Sequence, residues 1–224
     1  MNSDSLPAPG QAQPLLIPGA AGHIEALLAA PRTPADPAGF AVICHPHPLY
    51  GGALSNKVNY ALATCAQKAG LYALRFNFRG VGKSSGTHDE GRGETQDTLA
   101  VVQWMRDRMP SGELLLAGFS FGSFVSLSAS ARAKPRLQIS IAPPFGKYFG
   151  GAPRPPRPAC PWLVVHGRDD DVVSYAETQT ELSHYDPAPE LVSLDGVGHF
   201  FHGRLGDLQH AVSDFIARHW PSGN

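Results

Sequence analysis

The chain has 224 residues, of which 42% are hydrophobic and 17% charged, and its formal net charge is -1. That length suits one α/β domain with a sizeable core. The near-zero charge gives no electrostatic case for nucleic acid or an anionic membrane as a partner, and no apolar run reaches transmembrane length.

Residues 1–14 are polar and rich in Pro, Ala and Gln, with neither the basic nor the apolar segment of a signal peptide. A disordered lead-in is expected there, followed by a single domain over 15–221. Short apolar, β-branched runs predict strands over 15–18, 23–29, 40–45, 72–77, 113–118, 137–142, 162–167 and 190–194. Helix-period stretches predict helices over 56–69, 94–109, 120–132, 175–184 and 204–219. The first two strands, joined tightly through 19–22, read as an antiparallel edge hairpin. From the third strand on, strands and helices alternate. The expected fold class is therefore α/β, a mostly parallel eight-stranded sheet with helices on both faces. The loop 143–161 carries seven prolines and is too short and too proline-rich for a lid domain. Cys44, Cys65 and Cys160 are three in number and irregularly spaced. They fit a reducing, cytoplasmic compartment better than a disulfide framework. Cys44 lies beside His45, but it ends an apolar run and reads as a buried strand residue.

The pentapeptide Gly118-Phe119-Ser120-Phe121-Gly122 lies between a predicted strand and a predicted helix. G-x-S-x-G in that setting places a serine hydroxyl on a sharp turn at the end of a sheet, with a helix N-terminus aimed at it. A serine nucleophile also needs a base, a carboxylate and oxyanion donors. Sites in open α/β sheets lie outside the carboxyl ends of strands. Three strand ends supply the partners. Asp169, Asp170 and Asp171 follow the seventh, with Asp195 a weaker alternative after the eighth. His199 also follows the eighth, flexibly mounted between Gly196, Gly198 and the helix beyond, with His202 its nearest rival. The chain order Ser, Asp, His is that of the α/β-hydrolase fold. Oxyanion donors are expected from the backbone N–H of Phe121 and, after the third strand, of His47, with Leu49 or Gly51 behind it. Pro46 and Pro48 have no N–H to give. His45 and His47 have no third ligand at metal-binding spacing, so neither a metal nor any other cofactor is expected.

The strings Cys44-His45-Pro46-His47-Pro48-Leu49-Tyr50-Gly51-Gly52, Arg75-Phe76-Asn77-Phe78-Arg79-Gly80-Val81-Gly82, Gly118-Phe119-Ser120-Phe121-Gly122 and Gly198-His199-Phe200-Phe201-His202-Gly203 resemble a family of small, lidless bacterial α/β-hydrolases. That family is serine esterase-like and distantly related to dienelactone hydrolases. The resemblance runs from about Ile24 to Trp220. It implies Ser120 as nucleophile and His199 as base. Its pattern of glycine, two residues, aspartate, one residue, valine falls on Gly167, Asp170 and Val172 and so implies Asp170 as the acid. A dienelactone hydrolase proper has cysteine where this chain has Ser120.

Gly80-Val81-Gly82-Lys83-Ser84-Ser85 mimics the end of a phosphate-binding loop, but Asn77 stands where that motif needs glycine, and a glycine turn is expected instead. The sequence thus points to hydrolysis of small or short-acyl carboxylic esters through an acyl-enzyme. Thioesterase, lactonase or amidase chemistry on the same residues, or a non-catalytic binding protein, are the alternatives. The expected partner is a small-molecule ester, with the chain a monomer or small homo-oligomer. Leu49, Tyr50, Phe119, Phe121, Phe145, Phe149, Phe200 and Phe201 are candidates for cleft wall or core.

Overall fold

The computed structural model of the protein describes residues 5–35, 38–145 and 154–220. Eight strands form one sheet: β1 (Ala12–Gly19), β2 (Gly22–Ala29), β3 (Gly39–Cys44), β4 (Tyr72–Phe76), β5 (Glu113–Phe119), β6 (Leu137–Ile141), β7 (Trp162–Gly167) and β8 (Glu190–Leu194). The helices are α1 (Lys57–Lys68), α2 (Arg92–Arg108), α3 (Phe121–Ala133), α4 (Tyr175–Leu182) and α5 (Leu205–His219). The strand order is β1-β2-β4-β3-β5-β6-β7-β8. β2 pairs antiparallel with both β1 and β4, and every pairing from β4 to β8 is parallel. The hairpin and the α/β alternation expected from the sequence are both present.

Burial follows pairing. β1 is an edge strand, so Leu15 and Ile17 point into the core while Leu16 faces solvent. β3 and β7 are interior strands of the parallel region with every residue buried, as a strand covered on both faces must be. One face packs against α1 and α5 through Leu62, Ile43, Leu163, Val212 and Phe215. The other packs against α2 and α3 through Val42, Leu116, Val101 and Val125, and α4 extends it through Leu182 against Trp162 and Val164. Each such side chain contributes roughly 1.5–3 kcal/mol of burial. No helix among the described residues is long and apolar enough to cross a membrane.

Of the lead-in expected to be disordered, residues 10–14 belong instead to a fixed edge. β1 already includes Ala12–Pro14, the Gly10 N–H donates to Pro31 O at 3.1 Å, and the Ala30 N–H donates to Gln11 O at 2.8 Å. Backbone pairing needs no apolar side chains, so a Pro- and Gln-rich composition concealed it. Residues 1–4 lie outside the described residues, as do 146–153, the middle of the proline-rich loop that includes Phe149.

The phosphate-loop mimic is a turn. Gly80 and Gly82 have φ of 76° and 57°. The Lys83 N–H donates to Glu25 Oε2 at 2.8 Å, and the Ser85 N–H to His23 O at 2.8 Å, tying the segment to β2. The next helix opens only at Arg92.

Candidate active site

Ser120 stands between β5 and α3 with φ 51° and ψ -123°, a conformation L-residues avoid. The surroundings hold it there. Its N–H donates to Ile141 O at 2.8 Å, and the Ser123 hydroxyl donates to Ser120 O at 2.7 Å. A Cβ on Gly118 would overlap Gly122 O, and one on Gly122 would overlap the carbonyls of Cys44 and His45. Both glycines are therefore steric requirements for passing strand, turn and helix through so small a space. Strain sustained by this many contacts is typical of functional turns.

The Ser120 Oγ lies 3.0 Å from His199 Nε2, and His199 Nδ1 lies 2.8 Å from Asp170 Oδ2. A carboxylate only accepts, so Nδ1 carries the hydrogen and Nε2 accepts from the serine hydroxyl. Ser120 and His199 are 4% and 3% exposed, and the Asp170 side chain is shielded from solvent. Asp170 Oδ1 accepts from the N–H groups of Val172 and Val173 at 2.9 and 2.7 Å. Burial pushes the Asp170 carboxyl up. The donors from His166, His199 and Val173 outweigh it and hold the group below the ordinary carboxylate range. The two loops are bound together by the Asp169 N–H, which donates to Val197 O at 3.1 Å.

The alternatives fall away from this chain of bonds. Asp169 and Asp171 face solvent, and Asp195 pairs with Arg168 at 2.9 Å. His202 is exposed in the turn before α5, near Phe200 rather than Ser120.

The segment after β3 forms the opposite wall. His47 caps a short 3-10 turn (Pro48–Tyr50), its Nδ1 accepting from the Leu49 N–H at 3.2 Å. Its ring packs 4.8 Å from that of Phe121, the residue that opens α3. Burial and the neighbouring His88 lower the His47 pKa, and Glu94 works the other way. His88 Nδ1 lies 2.8 Å from the wholly buried Glu94. Sequence reasoning passed over this acid–histidine pair, because Glu94 looked like an ordinary helix-start residue.

Both ring nitrogens of His45 are engaged within the protein. The residue is fully buried, accepts from the Phe78 N–H at Nε2 (2.9 Å) and lies 2.6 Å from Pro46 O through Nδ1. It therefore pins the His47 segment to the end of β4. Burial chiefly lowers its pKa from 6.5 to about 4, His47 adds to the effect, and Pro46 O opposes it. No group of three metal-ligating side chains occurs among the described residues. Burial pushes the Cys44 thiol up to about 12, and its partner is Thr98 rather than His45, which makes it a core residue.

Ser120 and His199 open into a cleft of about 340 Å³, walled by Pro46, His47, Tyr50, Gly52, Asn56, Val172 and Phe200. Of the aromatic candidates, Tyr50 and Phe200 line it. Phe119, Phe121 and Phe201 are buried core, and Phe145 packs beside Tyr185. Leu49 is 70% exposed on the same segment as Tyr50.

The profile of the alpha/beta hydrolase fold family matches residues 42–142. An uncharacterized protein of Rickettsia prowazekii is 31% identical over 211 residues, covering 88% of this chain and 86% of that one. A crystal structure of a serine hydrolase without lid from Xanthomonas campestris is 36% identical, with a TM-score of 0.89 over 98% of this chain and 100% of the other. The chain belongs to the lidless α/β-hydrolase family. A serine hydrolase homologue from Coxiella burnetii, at 37% identity and TM-score 0.87, covers 95% of this α/β-hydrolase and is itself covered completely. In this family member the strained serine, the histidine and the shielded aspartate come from three separate strand ends, β5, β8 and β7.

Proposed function

We propose that the protein is a carboxylesterase for small or short-acyl esters, working through an acyl-enzyme on Ser120. The observation that carries this reading is the hydrogen-bonded chain Ser120–His199–Asp170 at the floor of the 340 Å³ cleft.

His199 Nε2 takes the serine proton as Oγ attacks the acyl carbonyl, and Asp170 holds the imidazole in that tautomer and stabilises the imidazolium. The oxyanion is held by the backbone N–H groups of Phe121 and His47. That role for Phe121 is supported by its place as first residue of α3, where the helix N-terminus favours negative charge. For His47 it is supported by its position in the facing wall, fixed by His45 below and the 3-10 turn above. His199 then protonates the leaving alkoxide. Water, deprotonated by the same nitrogen, releases the acid.

The cleft lies at the lower end of the roughly 300–1,000 Å³ typical of ligand sites, which favours short acyl groups. Hydrolysis of p-nitrophenyl esters of increasing chain length tests this. Turnover is expected to be highest for the shortest acyl chains and to fall with length. A maximum at long chains, or no turnover of any ester, would overturn the reading.

A further inference from the structure

His166 is the next-to-last residue of β7, wholly buried in a strand otherwise composed of Trp162, Leu163, Val164, Val165 and Gly167. An imidazole in that run is an anomaly, since every neighbour is there to pack. Its Nε2 lies 3.1 Å from Asp170 Oδ2 and 3.1 Å from Val173 O. Both are acceptors, so Nε2 carries the hydrogen and Nδ1 carries none. Nδ1 is buried with no partner among the described residues. An unpaired buried polar atom costs about 1–3 kcal/mol. A residue kept only to fill space would avoid that cost by being apolar.

Asp170 Oδ2 therefore accepts from two imidazoles, His199 at 2.8 Å and His166 at 3.1 Å, while Oδ1 accepts from the Val172 and Val173 N–H groups. A carboxylate offers about four acceptor sites, and all four are used. We propose that His166 is a positioning residue for the nucleophile's acid: it fixes the orientation of the Asp170 carboxylate and draws off part of its charge, setting how strongly Asp170 holds His199. This rests on the reading of Ser120, His199 and Asp170 as the reacting chain.

The other groups around His166 leave that task to it. Tyr175, at the start of α4, packs its ring 5.7 Å away, its hydroxyl 2.6 Å from Ser193, with the Arg168 guanidinium 5.1 Å from that ring. His199 approaches from the loop after β8. α5 covers the opposite face of the sheet with Leu208, Val212 and Phe215, none of them titratable.

The test is His166→Phe beside His166→Gln. Phenylalanine fills the space and removes the donor, whereas the Gln amide reaches about as far as Nε2 and keeps it. In H166F, kcat is expected to fall roughly ten- to a hundred-fold with KM within about two-fold. The acid limb of kcat/KM is expected to move to higher pH by about half a unit, because Asp170, one donor short, holds the His199 imidazolium more tightly. H166Q is expected to recover most of the rate and return the limb towards wild type. Wild-type kcat and an unmoved limb in H166F would overturn the proposal. So would lost activity with an unmoved limb that H166Q does not restore, the mark of a merely structural residue. If H166F does not fold, H166Q is compared with H166N, whose shorter amide falls short of Asp170; equal rates in the two would overturn it. The downfield proton resonance of His199 Nδ1–H gives a readout that needs no substrate. It is expected to shift in H166F or H166N and not in H166Q. The absence of any shift counts against His166 even in a protein that hydrolyses no ester.

Discussion

The floor of the cleft and its rim are built on opposite terms. On the floor, Ser120, His199 and Asp170 are almost wholly enclosed, and each is held by several bonds or by glycines that admit no side chain. At the rim, Tyr50 is 77% exposed and Phe200 is 48% exposed. The floor holds one geometry. The rim offers apolar surface with few directional contacts, so it constrains the partner molecule weakly. Geometry on the floor is therefore where substitutions should be costly, and the rim is where they should be tolerated.

The largest expected effect is at Ser120, the proposed nucleophile. Ser120→Ala is expected to lower kcat for a short-chain ester by on the order of 10⁴–10⁶-fold with folding intact, as steady-state kinetics beside circular dichroism would show. Substantial remaining activity would remove the floor from the chemistry. Asp170→Asn follows, with a loss on the order of 10³–10⁴-fold, because an amide in contact with Nδ1 favours the wrong tautomer of His199. Gly122→Ala acts on the scaffold instead. The added Cβ overlaps the Cys44 and His45 carbonyls, neither of which is the far end of a flexible side chain. Thermal or denaturant unfolding should show destabilisation of about 3 kcal/mol or more.

His45 gives the pH dependence of the floor. Its folded-state pKa is depressed to about 4. Between pH 6.5 and 4 the unfolded chain binds the proton more readily, so stability is full above 6.5 and is lost as the pH falls towards 4. The loss due to this ring is on the order of 3 kcal/mol. His45→Gln should therefore flatten the fall in Tm across that window; an unchanged slope would show that the proton is taken up elsewhere. The smallest effects belong to the rim. Tyr50→Ala and Phe200→Ala should change KM by less than about ten-fold and leave kcat nearly unaltered. A large loss of kcat in either would mean that the rim takes part in positioning.

What the sequence disclosed follows the same division. The strand ends and the elbow were legible because their local chemistry is demanding. Gly118 and Gly122 flank a serine that no other backbone would accommodate, and the apolar runs of β3, β5 and β7 leave no competing assignment. Local pattern alone left three adjacent aspartates open. The family pattern on Gly167, Asp170 and Val172 pointed to Asp170, and the fold turns that side chain inward while Asp169 and Asp171 face water. His166 and the His88–Glu94 pair were hidden for a related reason. Their significance lies in contacts with residues on other strands or loops, although a histidine within an apolar strand was itself a visible irregularity. Residues 10–14 were hidden because their order comes from backbone bonds to Ala30 and Pro31 and from strand pairing, which composition does not encode.

In the proposed reaction Ser120 Oγ attacks and His199 activates it. Reaction with a fluorophosphonate, followed by peptide mapping, tests this most directly. One stoichiometric adduct is expected on Ser120, none in Ser120→Ala, and much slower labelling in His199→Ala. An adduct on another residue, or an unreactive wild-type protein, would contradict it.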